Sequence, residues 1–204
     1  MKHKIPCFCD NTFVVEVPEE IDLDADPQFV DDIMAGRFMN FTCAGCGKIH
    51  KPEFPLTVLW PSKNLRLEVI PEPDRGSFYR RKNDNPPGET IISYPEMADR
   101  IAVIRDGLEP LVIEAIKYYL LVKAEETYPE EDVSVWYQSR GPENIELHLH
   151  GIKKDEAAVT KIPLEIYERT RADFKKNPKA EPFASLRFRS YLSVQNILRP
   201  EELK

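Results

Sequence analysis

The chain's four cysteines all stand in its first 46 residues, as Cys7/Cys9 and Cys43/Cys46, with none in the rest of its 204 residues. If the pairs share one ion, two turns separated by 33 residues must meet at one point of the fold. Two turns that each present two thiolates close a tetrahedral shell, with sulfur about 2.3 Å from zinc. The second pair, in "FTCAGCGKIH", is followed by Gly47, which suits a turn whose N–H groups point back at sulfur and whose chain needs φ > 0. The first pair has only Phe8 between its cysteines, so on a regular strand both thiols share a face but stand too far apart to chelate. Pro6 before and Asp10-Asn11 after supply a bend there. The expected ligands are Cys7, Cys9, Cys43 and Cys46 around one structural zinc ion, with iron an alternative for the same thiolates. His3 and His50 are held in reserve should one cysteine fail.

Two other uses of the thiols stand beside this one. A CxxC dithiol redox centre wants its first cysteine at a helix N-terminus, and neither "FMNFT" nor "GKIHKPEF" looks like a helix start. Unligated thiols in an ordinary turn are the plainer alternative. A disulfide framework is disfavoured on compartment: "MKHKIPCFCD" has no apolar run fit for a signal peptide, and no segment approaches the roughly 18 apolar residues of a membrane span. A cytoplasmic location, where thiols stay reduced, is the expectation. With 42% hydrophobic residues, the chain does not need metal merely to be globular.

The paired cysteines, together with "DPQFVDDIMAGRFMNFTCAGCG" and the helical stretch "SYPEMADRIAVIRDGLEPLVIEAIK", resemble the CpXC domain, a bacterial and archaeal module named for its N-terminal cysteine motif. The resemblance covers roughly Ile5 to Val122. It departs from the motif in one place: the name implies Cys-Pro-x-Cys, whereas here Pro6 precedes Cys7. What the resemblance implies is an architecture and a cysteine site, without an activity.

Periodicity supports an α+β fold, with a small antiparallel, zinc-ribbon-like β portion followed by a helical and β-hairpin portion. Residues 1–72 carry strands at "FVVEVP", "LTVLW" and "NLRLEVI", and a short helix capped by Asp26 and stopped by Gly36, with Phe29, Val30 and Ile33 as its inner stripe. Residues 73–90 are Pro-, Asp- and Asn-rich and read as a polar linker or long loop. Residues 91–204 form an α/β portion. Capping boxes Ser93/Glu96 and Asp106/Glu109 open two helices, the second apolar nearly all round except for a narrow strip of Glu114 and Lys117. "DVSVWYQ" and "NIELHLHG" make a hairpin, "AAVTKI" a third strand, and a helix runs from Pro163 to Phe174. Glu146, His148 and His150 share one face of their strand, as a second metal site or, more simply, its wet side.

Function follows from what is absent as much as from what is present. No phosphate-cradling glycine loop, nucleophile elbow or HExxH occurs, and a four-thiolate shell leaves zinc no open position. The expectation is a non-enzymatic, zinc-stabilised protein-interaction or scaffold module, with a protein partner or a second copy of itself as its target. A nucleic-acid-binding zinc ribbon is the alternative, using Arg75, Arg80, Arg81, Lys82, Lys48 and Lys51, although a net charge of -7 argues against phosphate backbones. An enzyme of unrecognised type is the third.

Overall fold

The computed structural model describes residues 1–81 and 86–198. The chain divides into two compact units, Met1–Ala98 and Asp99–Lys204. Among the described residues no helix is long and apolar enough to cross a membrane.

The first unit opens with an antiparallel hairpin of β1 (Lys2–Pro6) and β2 (Thr12–Glu16), in which Ile5 faces Phe13. Alternation puts Ile5 and Val15 on its inner face, where with Val17 they meet Phe13, Met39, Phe41 and Phe54. Strand β3 (Glu20–Asp22) is followed by α1 (Gln28–Met34) and by the two-residue pair β4 (Phe41–Thr42) and β5 (Ile49–His50). The chain then returns as β6 (Leu56–Trp60), parallel to β3. Leu56, Val58 and Trp60 are buried on one face of β6, as its alternation predicts. Strand β7 (Leu65–Ile70) turns back antiparallel to β6, and β8 (Glu89–Ile92) lies parallel to β7, so these strands run in the order β8–β7–β6–β3. The antiparallel pairs expected from the sequence are therefore joined by two parallel ones.

Local signals explain the ends of α1. The Asp26 carboxylate accepts the Gln28 N–H at 3.2 Å, and Gly36 stops the helix at φ +64°. Ile33 is buried, while Phe29 and Val30 are half-buried. The stretch 73–90, expected as a polar linker, carries α2 (Arg75–Arg80), whose Phe78 and Tyr79 are buried. The unit boundary falls inside α3 (Tyr94–Arg105). Ser93 caps α3 by accepting the Glu96 N–H at 3.4 Å, but its own N–H goes to the Ile70 carbonyl at 2.8 Å, so only half of the capping box forms. The Glu96 carboxylate turns to Arg75 instead, at 2.6 Å.

In the second unit, α4 (Pro110–Thr127) packs against β9 (Ser134–Arg140) and α5 (Leu164–Lys176). Strand β10 (Asn144–Lys153) runs between β9 and β11 (Glu156–Pro163), antiparallel to both. The hairpin of β12 (Arg187–Phe188) and β13 (Tyr191–Leu192) and the short α6 (Gln195–Leu198) end the described chain. The Asp106/Glu109 capping box does not form. Gly107 leaves α3 at φ +71°, the Asp106 carboxylate goes to Arg105 and Tyr137, and α4 starts at Pro110 without a side-chain cap.

The narrow polar strip of Glu114 and Lys117 lies on the inside of α4. Both side chains are buried, and the Lys117 ammonium binds the Asp99 and Glu114 carboxylates. Asp99 also accepts the Tyr137 N–H at 2.6 Å, Glu114 accepts the Val194 N–H at 2.7 Å, and Arg100 donates to the Leu192 carbonyl at 2.7 Å. The face turned to water bears Tyr119 and Val122 instead.

Candidate metal centre

Two turns build the site. Between β1 and β2, the Cys7 carbonyl accepts the Asp10 N–H at 3.1 Å, and the Cys7 N–H donates to the Asn11 carbonyl at 2.8 Å. Asp10 is left-handed at φ +62°, so this is a three-residue hairpin loop with a bulge. That bend is what brings the closely spaced thiols of Cys7 and Cys9 off the strand and onto one point. Between β4 and β5, the Cys43 N–H donates to the Lys48 carbonyl at 2.9 Å and the Gly47 N–H to the Cys43 carbonyl at 2.9 Å, with Gly47 at φ +73° as its position requires.

The turns meet sulfur to sulfur. All four Sγ atoms lie within 4.8 Å of one another. Cys7 and Cys46 are 3.5 Å apart and Cys9 and Cys43 are 3.7 Å apart. A tetrahedron of sulfurs about 2.3 Å from a central zinc has edges of about 3.8 Å, so the donor set fits a four-thiolate ion. The single-residue spacing of Cys7 and Cys9 suggests a weak half-site facing a strong one, while the difference in burial lies within each turn. Each turn supplies one buried cysteine, Cys7 or Cys43, and one exposed cysteine, Cys9 or Cys46.

The buried sulfurs also collect side-chain contacts. The Asn11 amide donates to Cys43 Sγ at 3.5 Å, and His50 Nε2 lies 3.1 Å from Cys7 Sγ, its ring edge-on to Phe13. Of the protein groups alone, the Asn11 amide does most to favour the Cys43 thiolate. Against the opposing pull of burial, and with help from the Gly45 and Cys46 N–H groups, it brings that thiol down to about 6. At Cys7 the Cys9 N–H favours the thiolate, but burial and hydrogen bonds with the other three sulfurs outweigh it and push the thiol up to about 12. A metal ion has to displace that proton.

Asn11 is the residue that sequence reasoning missed. It holds both turns at once, through its carbonyl to Cys7 and its amide to Cys43, and Gly45 leaves it room: a Cβ there would stand 3.3 Å from the Asn11 amide nitrogen. Asn11→Ala is expected to weaken metal affinity by about 10- to 100-fold, the usual cost of losing an outer-shell hydrogen bond, as read by competition with a chromogenic chelator. Unchanged affinity would show that the amide only fills space.

The remaining candidates separate cleanly. The four-cysteine group includes neither reserve histidine, and His3 packs on Phe54 with ring centroids 4.3 Å apart. Ile145, Leu147 and Leu149 of β10 are buried, leaving Glu146, His148 and His150 on the opposite face; His148 is 3.1 Å from Glu146, and no metal-ligand cluster forms there among the described residues. Of the proposed basic set, Arg75 is engaged by Glu72 and Glu96, and the Lys48 ammonium sits 4.4 Å from the Phe8 ring centre. Lys51, Arg80 and Arg81 are exposed, and Lys82 lies outside the described residues.

Comparison with known proteins agrees with the cysteine geometry. The family model described as "CpXC protein" matches residues 5–117, more than half of the chain. An uncharacterized protein of Treponema pallidum (strain Nichols) is 28% identical over 219 residues, covering 95% of this chain and 97% of its own. No solved structure matches.

Proposed function

Because this chain belongs to the CpXC protein family, we propose that it is a non-enzymatic module whose first unit is stabilised by one zinc ion on Cys7, Cys9, Cys43 and Cys46. The single observation that carries this reading is the approach of all four sulfurs to within 4.8 Å of one another. Thiolates favour zinc or iron over harder cations, and four of them leave the metal no open position for substrate, which assigns it to structure rather than catalysis. The task of the module is contact with another protein, supported by the apolar side chains left bare near the turns: Phe8 is 88% exposed, Val14 59% and Ile49 57%.

Metal content tests the reading directly. Elemental analysis and native mass spectrometry of the purified chain are expected to show about one zinc per molecule, released by a strong chelator or by acid as the thiolates take up protons. A metal-free chain that binds neither added zinc nor iron, with four freely reactive thiols, would overturn it.

A further inference from the structure

The contacts between exposed and buried cysteines cross between the turns. Cys46, exposed, lies 3.5 Å from buried Cys7, and Cys9, exposed, lies 3.7 Å from buried Cys43. We propose that Cys9 and Cys46 are sites of reversible oxidation by a hydroperoxide, and that each closes a disulfide onto its buried neighbour, Cys9–Cys43 and Cys7–Cys46, expelling the metal while keeping the two hairpins joined. The proposal rests on the metal reading of the same four thiolates.

The chemistry balances within the site and one oxidant molecule per bond. The exposed thiolate attacks the peroxide oxygen, the O–O bond breaks, and a sulfenic acid forms as hydroxide leaves. The neighbouring buried thiolate then attacks the sulfenic sulfur, the S–O bond breaks, and a second hydroxide leaves with formation of the S–S bond. Two electrons pass from the sulfur pair to hydrogen peroxide, which, with two protons taken from solvent, ends as two waters. An ion that has lost two of its four thiolates is held too weakly to remain.

Access and turn geometry choose the partners. A dissolved oxidant meets the exposed residues Cys9 and Cys46 before the buried pair, and a sulfur of the other turn stands 3.7 Å from Cys9 and 3.5 Å from Cys46. Closing from those separations to a bond of about 2.05 Å needs a shift of roughly 1.5 Å in each pair. A bond inside the first turn would join cysteines separated by one residue, across the hydrogen bond from Asp10 to the Cys7 carbonyl that shapes the loop. Disulfides within each turn would also let the hairpins part once the metal left. The crossed bonds instead replace a metal clip by a covalent one between the same turns.

Tryptic mapping of the full-length protein decides the connectivity. Cleavage after Lys4, Arg37 and Lys48 places Cys7 and Cys9 on peptide 5–37 and Cys43 and Cys46 on peptide 38–48. Metal content is measured first; the protein then receives stepwise equivalents of hydrogen peroxide, is blocked with N-ethylmaleimide and is digested without reductant. The expected result is peptides 5–37 and 38–48 joined to each other and separated by reductant, with metal released in step. Cys9→Ser should leave only the Cys7–Cys46 bond, and Cys46→Ser only Cys9–Cys43. Separate peptides each two hydrogens lighter, or four blocked thiols after peroxide, would overturn the proposal while leaving the metal reading intact. A starting protein without metal would overturn the metal reading and with it the release step, and the map would still report whether the turns cross-link.

Discussion

Cys43→Ser is expected to weaken metal binding at the proposed four-cysteine site by about two to three powers of ten and to loosen the first hairpins. Cys43 is the more deeply buried of the two inner cysteines and the one served by the Asn11 amide, so a hydroxyl there removes a ligand and a charge and leaves the amide a neutral acceptor in place of a thiolate. Structural zinc sites are worth roughly 10–16 kcal/mol in apparent binding free energy, and removing one ligand of four forfeits on the order of a quarter of that. About 3–4 kcal/mol corresponds to two to three powers of ten in affinity. Chelator competition reads the affinity, and amide hydrogen exchange should accelerate in β1, β2, β4 and β5. Exchange in β10 should not change, since its core residues Ile145 and Leu147 belong to a unit that contains none of the four cysteines. Retention of metal at wild-type affinity would show that three thiolates suffice and that the fourth sulfur is a bystander.

The second large effect lies in the other unit. Lys117→Met should destabilise the Asp99–Lys204 unit by about 3–5 kcal/mol near neutral pH, because removing one partner of a buried pair strands the other charges. Here Asp99 is stranded and Glu114 is left to Arg100 and the Val194 N–H, with side chains only 5% and 6% exposed. In the wild type, burial pushes Asp99 up more than Lys117 can offset, whereas at Glu114 the charges of Lys117 and Arg100 outweigh burial and hold the carboxyl below its usual range. Without the ammonium, burial raises Asp99 further above its unfolded value of about 3.9, while Glu114 keeps the Arg100 charge and the Val194 N–H, so the native state then binds more protons than the unfolded one. Stability of the variant therefore falls as pH climbs above about 4, and the deficit against wild type is smallest in acid. The wild type fails at the other end of the scale. Lys117 is raised from 10.5 to about 12, so its contribution is complete below 10.5 and disappears as pH rises through about 12. Urea unfolding at matched pH values measures both, and a deficit independent of pH would mean that lost packing rather than stranded charge is responsible.

The parts of this molecule legible in its sequence are those set by neighbours along the chain. Strands β6 and β7 announce themselves by alternation, the β9–β10 hairpin by two such runs around "SRGPE", and the end of α1 by Gly36. The four cysteines could be grouped because their chemistry is rare and their spacing suggestive. What could not be read depends on partners distant in sequence. The β3–β6 and β7–β8 pairings are parallel and set by crossovers, and β3 is only three residues long. Glu114 looks like surface because nothing near it in sequence reveals the Val194 N–H, 80 residues away, that it accepts. Asn11 looks like turn filler, since the bend at Asp10 accounts for it until Cys43 is brought alongside. The Asp106/Glu109 box fails where two strong local signals, Gly107 and Pro110, override a weaker one.

The second cysteine turn lies on the crossover between β3 and β6, and that placement bears on how the chain finds its fold. Parallel strands meet late, because the loop between them must first be closed against its own entropy. The two hairpins that carry the cysteines are local and can form early. If the ion captures them before the sheet assembles, the chain left free between the captured turns and each strand is shorter than the whole crossover, and β3 has less space to search for β6. The ion would then act on the rate of folding as well as on the stability of the product, at the stage where an unpaired β6 edge is most exposed to wrong partners.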